Sequence, residues 1–216
     1  MLDRLNFNRI AFCQTLCLIV IAKLIPVSHI LGSSKACFTV TNILGPLATL
    51  FGGLLGGLLY SLVGWIWAGK ISLLLSSGLP HLFAGQYWRS ESIIFKVSVP
   101  LICMLLFWSH PVGLAAGWYA TFWLIPVIIA VMKMSGSIWQ ALGATFVAHA
   151  VGSVIWLYFA APMLPSQWLS LMAVVPFERI CFAVGMMLLY KILMVTSWTW
   201  NIYRIVRSAK QTLKAR

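Results

Sequence analysis

Residues 41–69 read TNILGPLATLFGGLLGGLLYSLVGWIWAG, an apolar stretch without one charged side chain. A helix needs about 20 such residues to cross the hydrocarbon layer, so this run is longer than a straight crossing requires. It also carries Pro46 and six glycines from Gly45 to Gly64. The reading is a transmembrane helix that tilts or breaks, with Pro46 the expected place. Gly52 with Gly56, and Gly53 with Gly57, form small-xxx-small pairs, a spacing that lets another helix backbone come close. That neighbour is either a helix of the same chain or a partner membrane subunit.

The rest of the chain has the same character. It is 62% hydrophobic and 8% charged, with a mean hydropathy of +0.97, more apolar surface than a water-soluble domain needs. Apolar runs lie at about 10–27, 41–68, 71–85, 93–109, 112–132, 138–161 and 168–195. The 71–85 run is short, and SSGLPHLFAGQ breaks it. If it dips in and returns, six spans remain, and Arg4, Arg9, Lys70, Arg89, Lys96, Lys133, Lys191, Arg204, Arg207, Lys210, Lys214 and Arg216 gather on or near one side. Only Lys35 is then clearly external, with Lys23 and Arg179 inside spans. The positive-inside rule makes the crowded side cytoplasmic.

The expected fold is therefore an all-α, polytopic membrane helical bundle. It has six transmembrane helices plus one short re-entrant or interfacial helix, seven spans being the alternative. Residues 1–200 form one transmembrane domain and 201–216 a basic cytoplasmic tail suited to anionic lipid. Both termini lie in the cytoplasm, and the N-terminal run reads as an uncleaved first span in the cell (inner) membrane.

Several function classes drop out. The net charge of +12 has no polar surface on which to build a nucleic-acid face. There is no phosphate-binding loop. Cys13, Cys17, Cys37, Cys103 and Cys181 are scattered and mostly inside apolar runs, which suits packing and not a metal or redox site. No cofactor is expected. A G-x-S-G, H-E-x-x-H or paired-Glu motif would mark a membrane-embedded enzyme, and none occurs.

Two later stretches break the apolar pattern. GATFVAHAVGSVIWLYF, 143–159, places His149 in mid-run, and VVPFERICFAVG, 174–185, places Glu178 and Arg179 in another. His149 falls about eleven residues into its run and the Glu-Arg pair about ten, so all three come out near the midplane at about 1.5 Å per residue. A carboxylate at that depth must face protein or a wet cavity. Thr145, Ser153 and Trp156 lie at i−4, i+4 and i+7 from His149, one polar and aromatic stripe. The expectation is a solute site built from His149, Ser153, Trp156, Glu178 and Arg179, with Asn42 at an outer mouth and Trp118 and Tyr119 stacking on an aromatic ligand. A purely structural polar cluster is the other reading. His29 and His81 show no evident partners in sequence, and His110-Pro111 reads as a turn.

The layout, with ILGPLATLFGGLLGGLLYSLVG (43–64) leading a long second run, resembles the S components of energy-coupling-factor vitamin transporters. The resemblance implies a subunit that binds a small vitamin-like solute from outside. It also implies a separate transmembrane coupling subunit and two ATPase subunits, with Gly52, Gly53, Gly56 and Gly57 as a docking face. A membrane-embedded enzyme and a ligand-free assembly protein are the competing classes.

Overall fold

The computed structural model describes residues 40–68, 74–160 and 163–214, together with 10, 12–14, 16, 17 and 20. Arg4, Arg9, Lys23, His29, Lys35, Cys37, Lys70 and Arg216, and most of the first apolar run, lie outside the described residues. Every regular element described is helical. In chain order these are α1 (Val40–Ala68), a π-helical turn (Leu74–Gly78), α2 (Leu79–Arg89), α3 (Ile93–Ser109), α4 (Pro111–Ala115), a 3-10 stretch (Gly117–Trp123), α5 (Leu124–Val131), α6 (Ser137–Phe159), α7 (Pro165–Ser170), a 3-10 turn (Leu171–Ala173) and α8 (Val175–Lys214).

The break in α1 falls at Gly53 and not at Pro46. Gly53 has φ 66° and ψ −158°, a region open essentially to glycine alone. The chain folds back there. A side chain on Gly56 would strike the Ala48 carbonyl, one on Gly57 the Thr49 side chain, and one on Gly45 the Tyr60 ring. These pairs are far apart on a straight helix and adjacent only in a tight hairpin. Pro46 lies inside the first limb and removes one backbone hydrogen bond there, but the positive φ is at Gly53. Each limb spans roughly 20 Å at about 1.5 Å per residue. The glycines expected to dock a partner face this chain: Phe12 lies over Gly52 and Gly56, Arg89 over Gly53, and Thr49 and Leu82 beside Gly57.

The short helix α2 sits inside the bundle, packed between α1 and α6, with Pro80, His81, Ala84, Gly85 and Tyr87 buried. Glycine permits both contacts. Gly85 lies against the Pro46 carbonyl and Thr49, and Gly143 of α6 against the Tyr87 ring. The Tyr87 hydroxyl donates to the Pro126 carbonyl at 2.8 Å, so this buried polar group is satisfied. Central α6 touches α2, α3, α5 and α8. Around it lies the main core, with Phe107, Tyr119, Trp123, Phe146 and Trp168.

Two runs expected as single helices are interrupted. The 112–132 run becomes α4, a 3-10 stretch and α5, and Trp108 Nε1 donates to the Gly117 carbonyl at 3.1 Å where the first break occurs. The 168–195 run splits at residues 171–174, so α8 begins only at Val175. Residues 201–214 continue α8 as helix.

Among the described residues, three helical segments are long and apolar enough, by length and composition, to cross a membrane: Asn42–Ile66, Ser137–Phe159 and Val175–Asn201. The first reaches that length only by adding the two limbs of the α1 hairpin. Ile93–Ser109 and Gly117–Val131 are shorter apolar helices. Leu101, Ile102, Leu105 and Leu106 of α3, and Ile180, Val184, Leu188, Ile192 and Val195 of α8, stand exposed. Apolar stripes that turn outward at helical spacing suit a lipid solvent.

Candidate functional site

α6 supplies the longest wall of a cavity of about 400 Å³, within the range of roughly 300–1,000 Å³ common for small-molecule sites. Thr145, Ala148, His149, Gly152, Ser153 and Trp156 line it, one continuous face at three- and four-residue spacing. Ala148 and Gly152 leave the room, because their side chains end where larger ones would fill the space. The opposite walls are Asn42 and Pro46 of α1, Ser76 of the π-helical turn, Pro80 and His81 at the start of α2, and Arg179 and Phe182 of α8. Tyr119, Met163, Trp168 and Leu171 complete it.

Six of the eight residues expected at a solute site meet here: Asn42, Tyr119, His149, Ser153, Trp156 and Arg179. The other two do not. Trp118 is 75% exposed and lines a separate groove with Trp108 and Thr121. Successive residues of a 3-10 helix point about 120° apart, so Trp118 faces out where Tyr119 faces in. Glu178 lies in the first turn of α8, because α8 starts late. Its carboxylate takes a 2.6 Å hydrogen bond from Arg179 Nη2 and does not line the cavity. An acid in a first helical turn is also favoured by the helix dipole.

The late start of α8 brings its first turns beside the middle of α6: Thr145 Oγ1 lies 3.4 Å from the Arg179 carbonyl. Arg179 is thereby held by three groups. Glu178 binds its guanidinium, the Phe182 ring lies 4.9 Å from its Cζ, and its backbone meets Thr145. Across the cavity, His81 Nε2 lies 3.2 Å from Asn42 Oδ1. Gly45 makes that possible, since a Cβ there would collide with the His81 ring. Tyr119 is the hinge of the aromatic lining. Its ring centroid lies 5.3 Å from His149 and 5.0 Å from Trp168, and its hydroxyl 3.4 Å from Ser153 Oγ.

Among the lining residues that the sequence did not place at the site are His81 and Trp168. His81 follows Pro80 in the first turn of α2, and the proline marks that start. Trp168 opens the run expected as one helix over 168–195, but it sits in the separate short helix α7. Its signal was Pro165 followed by Gln167, whose Oε1 accepts from the Leu164 amide at 2.8 Å, a helix-start pattern.

Compared with protein-family models, with curated proteins and with solved structures, the chain matches none. The site must therefore be read from its own chemistry. Among the described residues no three His, Cys, Asp or Glu side chains converge to hold a metal ion. The cavity offers hydrogen-bonding groups, one guanidinium and aromatic faces, which suit recognition of a solute. Glu178, the one carboxylate nearby among the described residues, is tied to Arg179.

Proposed function

We propose that this chain is the solute-binding subunit of a membrane transport system, and that the solute occupies the cavity between α1, α2, α6 and α8. One observation carries the reading. In a bundle with lipid-type exposed faces, a roughly 400 Å³ space is lined by polar side chains from four separate elements. Polar groups inside an apolar bundle are costly unless they serve a ligand or one another. Here His149 Nε2, Trp168 Nε1 and Arg179 Nε are buried without a partner among the described residues.

The resemblance to energy-coupling-factor S components supplies the rest of the proposal. The solute is small and vitamin-like and enters from outside, and a separate coupling subunit with two ATPase subunits supplies the energy. The basic residues put both termini on the cytoplasmic side of the cell membrane, which requires an even number of crossings. A reporter fused after Arg216 should be active for a cytoplasmic marker and silent for an external one.

Uptake tests the function itself. Cells that express the chain with its coupling subunits should accumulate a small solute that cells lacking it do not. Equal accumulation in both, across a broad set of labelled solutes, would count against transport.

A further inference from the structure

The unmet hydrogen-bonding capacity of the cavity has a direction. Three nitrogen atoms on lining residues are buried with no partner among the described residues: Trp168 Nε1, Arg179 Nε and His149 Nε2. An indole N–H and a guanidinium N–H only donate, and an imidazole nitrogen donates in one tautomer. Three nearby acceptors already hold one contact each. Asn42 Oδ1 lies against His81 Nε2, Ser153 Oγ against the Tyr119 hydroxyl, and the Glu178 carboxylate holds Arg179 Nη2. The lining groups left without a partner among the described residues are nitrogen atoms, two of which can only donate.

The donors also share a neighbourhood. His149 and Trp168 flank the Tyr119 ring at 5.3 and 5.0 Å, and Arg179 lines the same space. Around them stand broad flat surfaces: Trp156, Tyr119, Trp168 and Phe182. Glu178 already balances Arg179, so the charge of the pair is near zero while the buried Arg179 Nε–H has no partner among the described residues.

We propose that the cavity selects a flat, largely apolar solute through an acceptor-bearing end, a carboxylate or a conjugated carbonyl, which takes hydrogen bonds from Trp168 Nε1 and Arg179 Nε. The ring system of the solute stacks on the aromatic lining. This rests on the solute-binding reading above and narrows it: a primary ammonium, which brings only donors, is rejected.

Three matched probes separate the cases: naphthalene-2-carboxylate, naphthalene-2-carboxamide and 2-naphthylmethylamine. Their binding to the full chain in lipid nanodiscs is read from tryptophan fluorescence. The carboxylate or the carboxamide should bind at least about tenfold tighter than the amine, the discrimination expected when buried donors meet or miss an acceptor. A carboxylate that outbinds the carboxamide assigns an anionic end, and equal affinity assigns a neutral carbonyl. Trp168→Phe keeps the ring and removes the N–H, and Arg179→Lys keeps the charge that faces Glu178. Each should narrow the gap between acceptor probe and amine.

An amine that binds as tightly as the acceptor probes overturns the proposal and leaves solute binding standing. So does an unchanged gap in both variants. If none of the probes binds and no small molecule is released from the purified wild-type protein, the solute-binding reading fails and this proposal with it. The probe ranking on the wild-type chain does not depend on the variants folding.

Discussion

Glu178 and Arg179 are neighbours in sequence and partners in space, joined at 2.6 Å with 16% and 13% of their side chains exposed. Removing one charge leaves the other without its counter-ion in an apolar surrounding. Glu178→Gln should lower the stability of the detergent-solubilised protein by about 1–3 kcal/mol, the worth of a hydrogen bond to a charged group. A thermal unfolding midpoint equal to wild type would show that the pair contributes nothing. Trp118 gives the complementary case. With its ring turned away from the cavity, Trp118→Phe should leave solute retention unchanged, and a loss of retention would place Trp118 back at the site. The residues that the sequence made legible were those on one helix face. Thr145, His149, Ser153 and Trp156 follow from helical spacing alone, and spacing holds wherever the helix is regular. Trp118 and Glu178 were misplaced because both depend on where a helix breaks. Across a 3-10 stretch or a late helix start, the same spacing points a side chain elsewhere.

Breaks of this kind decide the elements. α1 looks in sequence like one overlong span, yet Gly53 turns it into a hairpin whose limbs touch through Gly45, Gly56 and Gly57. Glycine at that position holds a backbone conformation that costs other residues of the order of 1–3 kcal/mol. Gly53→Ala should therefore destabilise the protein by about that amount, and Pro46→Ala by much less. The two midpoints can be compared in the same detergent. If the order is reversed, the break lies at Pro46 as the sequence suggests. A run of glycines announces close packing without saying which backbone comes close, so the hairpin was not readable from composition. The short 71–85 run illustrates the same limit. Its break at SSGLP was visible, but not that Leu79–Arg89 would lie buried between α1 and α6. Burial there depends on Gly85 and Gly143, which come from two distant parts of the chain.

At the scale of the whole molecule, hydropathy was enough for the class and too coarse for the span count. An all-helical chain with outward apolar stripes follows from 62% hydrophobic residues arranged at helical period. The exposed stripe of α8, Ile180, Val184, Leu188 and Ile192, should face lipid. Spin labels at these positions should be reached by oxygen and shielded from a water-soluble nickel reagent, whereas access to nickel along the whole stripe would place α8 in water. The cavity is what joins the scales. Hairpin α1, buried α2, regular α6 and late-starting α8 each bring one wall of it. A replacement that fills the space without disturbing its walls tests the claim that a solute lives there. Gly152 lines the cavity, and a Cβ on it would meet only Pro80, at 3.5 and 3.9 Å, ordinary van der Waals contact. Gly152→Leu thus places its side chain where the solute would sit. The measurement is mass spectrometry of small molecules released from purified wild-type and Gly152→Leu protein of equal thermal stability. One solute near stoichiometric yield should come from wild type and none from the variant; the same release from both, or none from wild type, would contradict solute binding in the cavity.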